Sequence, residues 1–64
     1  MSQENTPRLP ESRRMEVFRA LVEAQDGEMS VARSREEVSR RFDLSEAEVR
    51  MIEREGLDRQ WPPL

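Results

Sequence analysis

The sequence has no cysteine, histidine, lysine or tyrosine. Without cysteine no disulfide ties the fold. Without cysteine or histidine the usual zinc sites are excluded, so no metal is expected. The same absences remove most nucleophiles and general bases. Glycine occurs only twice, too rarely for a loop that cradles phosphate. The pairs Glu36/Glu37 and Glu46/Glu48 are better explained by helix capping and the N-terminal helix dipole than by acid–base chemistry. Neither an enzyme nor a cofactor is therefore expected. No apolar run approaches the ~18 residues of a membrane span. The N-terminus lacks the apolar block of a secretory signal, so a cytoplasmic location is expected.

What is present is charge: 39% of the residues are charged and 34% hydrophobic. Spread evenly, that balance would favour disorder. The apolar residues instead cluster in two blocks, which suggests a folded middle with loose ends. Sixty-four residues allow one small domain, with only about 3–5 kcal/mol of net stability from its core. All eleven basic residues are arginine, and the net charge is −3. From Ser34 onward six arginines face eight acids. Phosphate contacts drive most nonspecific DNA affinity, so such a chain binds DNA only if its arginines are sorted onto one face.

Residues 1–10, MSQENTPRLP, are polar with two prolines and are expected to form a flexible arm. A first helix is expected over residues 11–26. Pro10 suits its start, Glu11 or Ser12 could cap it, and Gly27 stops it. Met15, Phe18, Leu21 and Val22 form its apolar stripe, with Val17 at the edge, and this stripe is expected to cover the later helices. GEMSVAR, residues 27–33, is ambiguous. A loop packing Met29 or Val31 on the bundle is favoured over a strand, and an extra helical turn stays open.

The stretch from Ser34 to Leu57 is the most informative. Ser34 with Glu37, and Ser45 with Glu48, have the spacing of capping boxes. They predict helices over 35–42 and 46–55, with Gly56 as the C-cap of the second and Leu57 making the contact that accompanies it. Between the two lie only Phe42, Asp43 and Leu44, which is the layout of a helix-turn-helix. Val38, Phe42, Leu44, Val49 and Ile52 fall where such a unit needs apolar residues, Ser39 is small at the crossing, and Asp43 tolerates a left-handed turn. The expected architecture is all-α: a three-helix helix-turn-helix domain over residues 11–57 and a tail over 58–64. Trp61 either folds back on the core or is displayed beside Pro62 and Pro63. Packing is favoured, since aromatics contribute more when buried.

The segment EEVSRRFDLSEAEVRMIEREGL resembles the C-terminal helix-turn-helix, region four, of primary sigma factors of bacterial RNA polymerase. Glu36, Glu37, Val38, Arg40, Phe42, Asp43, Arg50, Ile52, Glu53 and Leu57 match that pattern in register, and Leu44, Ser45 and Val49 are conservative replacements. The likeness covers about a third of the chain closely. It implies a small helical domain of DNA-binding descent, equivalent to the last module of such a factor. The chain departs where the family's recognition helix opens with basic residues. Glu46 and Glu48 stand there with Ala47 between them, and the family's glutamine is Met51.

On a unit of this layout Glu46, Ala47, Arg50, Met51 and Arg54 would enter the major groove, with Arg50 and Arg54 on guanine edges or phosphates and Glu46 able to accept from cytosine. Arg35, Arg40 and Arg41, with Arg33, could clamp the backbone. The competing reading is a solvated face laced with i,i+4 ion pairs such as Glu46–Arg50. Double-stranded DNA is thus the first expected partner of a small transcription regulator. The alternative is a protein-interaction module that engages RNA polymerase or another transcription protein through Met51, Ala47 or Trp61. A homodimer paired through the first helix is the third possibility.

Overall fold

The computed structural model describes residues 9–63. These form three helices: α1 (Glu11–Asp26), α2 (Val31–Phe42) and α3 (Glu46–Arg59), each packed against the other two. No strand occurs among the described residues. The arm expected over residues 1–10 lies outside them, except for Leu9 and Pro10.

α1 starts as expected, but Pro10 is itself the N-cap and no side chain caps the helix. Its inward side is turned relative to the expected stripe. Val17, Phe18 and Leu21 are fully buried, whereas Met15 and Val22 only flank the core. The inward line, at i, i+4, i+7 and i+11, is Arg14, Phe18, Leu21 and Gln25. Its polar ends were invisible to a search for apolar spacing. Gly27 follows the last turn, but the left-handed residue of this connection is Glu28, with φ 71°.

α2 begins a turn before the expected Ser34 start. Ser30 is its N-cap, accepting from the Arg33 N–H at 3.1 Å. The ambiguous stretch therefore supplies the extra helical turn, and Val31 is exposed. The expected Ser34–Glu37 capping box is not formed. Ser34 lies within the helix, fully buried, donating to the Val31 carbonyl at 2.8 Å and accepting from Gln25 Nε2 at 3.2 Å. A small residue is needed there because α1 lies against it. α2 ends at Asp43, which is left-handed at φ 57° as expected, and the Leu44 N–H returns to the Ser39 carbonyl at 2.8 Å.

The link to α3 is as short as the sequence indicates. Ser45 caps α3 in a complete capping box with Glu48, the two bonds being 3.1 and 3.0 Å. Val38, Leu44, Val49 and Ile52 are buried, and Phe42 packs at the edge of the core.

α3 then runs about one turn past its expected end, through Gly56. An added Cβ on Gly56 would lie 2.2 Å from Phe18 Cδ1, so this glycine serves close approach rather than capping. The C-cap is Gln60, left-handed at φ 55°. The bonds Trp61 N–H to Gly56 carbonyl (3.0 Å) and Gln60 N–H to Leu57 carbonyl (3.3 Å) make a Schellman motif. That motif turns the chain back, and Trp61 is buried edge-on to Phe18 with ring centroids 6.1 Å apart. The expected tail thus contributes two residues to α3 and one to the core, while Leu57 is exposed.

Candidate nucleic-acid interface

What α3 shows to solvent depends on how it is rolled; its buried stripe of Val49, Ile52 and Gly56 sets that roll, and two paired carboxylates flank it. Glu55 takes a bidentate hydrogen bond from Arg14 of α1, both contacts 2.9 Å. Arg14 also donates to the Leu9 carbonyl at 2.8 Å, and its guanidinium lies 6.0 Å from the Trp61 ring centroid. The Arg14 hydrogen bond draws the Glu55 carboxyl below its ordinary value. Partial burial opposes the shift, and the charges of Arg14 and Arg59 add to it. The same hydrogen bond raises the Arg14 guanidinium, against desolvation. On the other flank Glu53 accepts from Arg35 of α2, at 2.8 Å and 3.0 Å, and from Gln25 of α1 at 3.4 Å. Arg14 and Gln25 lie about 16 Å apart along α1, yet both reach carboxylates two residues apart on α3. α1 therefore crosses α3 rather than running beside it.

With the roll set, the outer face carries Glu46, Ala47, Arg50, Met51, Arg54 and Asp58, all exposed. Met51 is 65% exposed and Leu57 54%, large values for apolar residues in a small core. Arg54 sits between Glu53 and Glu55 in sequence, but those acids are turned to Arg35 and Arg14. No ion pair joins Glu46 to Arg50 among the described residues, so the pair named for the competing reading of a laced face is not formed there. Spaced at every fourth residue, Glu46, Arg50, Arg54 and Asp58 read negative, positive, positive, negative. A two-fold pairing centred on this face would set like charges opposite one another. The inward face of α1 is covered by α2 and α3, the role expected of its apolar stripe.

The arginines expected to clamp a DNA backbone fare unequally. Arg35 is half-buried and held by Glu53. Arg40 is exposed, with Glu36 at 3.7 Å. The Arg41 guanidinium stands 5.3 Å from the Phe42 ring centroid, and that of Arg13 5.0 Å from it. Both are in the range of a cation–π contact. They wall an open groove of 440 Å³ between α1 and the end of α2, where Arg13 and Arg19 are paired with Glu16 and Glu23. Arg33 is exposed in the first turn of α2.

The groups that sequence reasoning missed, Arg14 and Gln25, act on the outer face only through α3. Their signal was the i, i+4, i+7, i+11 line shared with Phe18 and Leu21. No cluster of three or more acidic side chains that could hold a metal ion occurs among the described residues, and no helix there is long and apolar enough to cross a membrane. In comparisons with protein-family models, curated proteins and solved structures, the chain finds no match.

Proposed function

We propose that the chain is a small DNA-binding transcription module, in which α2, the short turn and α3 act as a helix-turn-helix and α3 enters the major groove. The resemblance to sigma region four supports this reading. The observation that carries it is the pair Arg50 and Arg54: two exposed arginines one turn apart, on a helix packed inward through Val49, Ile52 and Gly56 and flanked by the pairs Arg14–Glu55 and Arg35–Glu53. A guanidinium on a rigid element loses less freedom on contacting a base or phosphate than one on a mobile loop. Arg40 and Arg41 at the end of α2 are the backbone contacts. Arg35 is assigned to holding α3 rather than to touching DNA.

The test is a heteronuclear NMR titration with duplex DNA at low salt. Shifts centred on Ala47, Arg50, Met51 and Arg54, weakening steeply as salt is added, support the reading. A fully folded chain with no shift at a large excess of duplex rejects it. The second reading is a protein-binding face on the same helix, favoured by the exposure of Met51 and Leu57 and by the acids Glu46 and Asp58 at either end. It predicts a partner in the transcription machinery whose binding changes little with salt and is lost in Met51→Asp.

A further inference from the structure

Val31 and Leu57, two large apolar residues left exposed, flank the same ion pair. Val31 precedes Arg35 by one turn of α2, and Leu57 follows Glu53 by one turn of α3. Each therefore shares a side of its helix with one member of the pair. Arg35 and Glu53 are 2.8 Å apart, with 30% and 17% of their side chains exposed. Going away from the turn at Asp43, the surface thus has two rows: positive then apolar on α2, negative then apolar on α3. A two-fold axis running between the rows sets Arg35 opposite Glu53 of a second copy, and Val31 opposite its Leu57. Unlike charges and apolar groups meet throughout. The same operation centred on the outer face of α3 sets like charges opposite. Arg35 also has donors to spare: its Nε and one Nη are directed at Glu53, and a guanidinium carries five N–H groups.

We propose that this face binds a second copy of the chain as an isologous dimer. Four charges, Arg35 and Glu53 of each copy, form a ring at its centre, and two Val31–Leu57 contacts close one end. Association of this kind supplements a core as small as this one. The patch is small, so the dimer is weak and concentration-dependent rather than obligate. The pairing is independent of the DNA reading.

The experiment is sedimentation velocity on the full chain from about 10 μM to 1 mM, with amide NMR spectra across the same range. Val31→Arg and Leu57→Glu are measured alone and mixed in equal amounts, each checked for unchanged helical circular dichroism. The wild type should pass from monomer to dimer, with shifts centred on Val31, Arg35, Glu53 and Leu57. Each variant alone should dimerise about 10-fold or more weakly. The mixture should recover the dimer, because one of its two apolar contacts becomes Arg–Glu and the other stays Val–Leu. A wild type that stays monomeric throughout overturns the proposal. So do shifts confined to another surface, or single variants that dimerise as well as wild type. A mixture no better than its components overturns the two-fold arrangement.

Discussion

The inner side of α3 carries Val49, Ile52 and Gly56 between Glu53 and Glu55; the outer side carries Arg50 and Arg54 between Glu46 and Asp58. Both sides hold acids, yet they behave differently. Glu53 and Glu55 meet arginines fixed on other helices, in bonds of 2.8–3.0 Å that are partly shielded from water. Glu46 and Asp58 stay on an exposed surface, where a charge contributes little to folding. The difference lies not in residue type but in whether a second helix supplies a partner already in place. One side packs α3 against its neighbours, and the other is left exposed.

Removing the inner cover should have the largest effect. Trp61→Ala deletes the ring that packs edge-on to Phe18. A cost of about 3–5 kcal/mol is expected, as much as a core of this size supplies, so the helical circular dichroism should collapse at 25 °C. A variant that keeps the wild-type melting temperature would show that Trp61 is not part of the core. Gly56→Ala comes next, at about 1–3 kcal/mol of overpacking, because the new methyl meets Phe18. In a Phe18→Leu background the same change should cost clearly less. Equal costs in both backgrounds, measured by urea denaturation, would place the strain elsewhere.

The acid dependence of stability sharpens the contrast between the two sets of carboxylates. The folded-state pKa of Glu55 lies below its ordinary 4.5. Its stabilising contribution is therefore complete above that ordinary value and is lost as pH falls through the folded one. Glu55→Gln should be less stable than wild type at neutral pH and lose less stability on acidification below pH 4.5. The melting temperature followed against pH checks this, and parallel curves for the two proteins would remove Glu55 from the clamp. The smallest effect belongs to the outer face. Arg50→Ala and Arg54→Ala should each shift stability by no more than about 0.5 kcal/mol. A larger loss in chemical denaturation would mean that these arginines hold the fold rather than face a ligand.

Much of this was legible in the residues. The Ser45–Glu48 box, the left-handed Asp43 and the buried Val38, Leu44, Val49 and Ile52 all follow from local rules, because caps, turns and apolar periodicity act over a few neighbouring residues. The candidate outer face could be named for the same reason: it is what remains opposite the apolar stripe. Two boundaries were misplaced because a local signal had two meanings. Ser34 has the spacing of a cap, but Ser30 takes that role, and burial against α1 gives Ser34 another. Gly56 looks like a helix stop, but it lies inside α3 because Phe18 from a distant part of the chain occupies the space of a Cβ.

By itself, then, the sequence determined three helices' worth of amphipathic pattern and the tight link between the last two, because both follow from neighbouring residues. Only the tertiary structure decided which arginines are structural and which are exposed. Arg14 and Arg35 are arginines within helices, as are Arg50 and Arg54. They are separated only by carboxylates that helix crossing brings within 3 Å, across 41 residues of chain in one case and 18 in the other. Partners so far apart in sequence leave no periodic trace, so their pairing emerges only once the helices have packed.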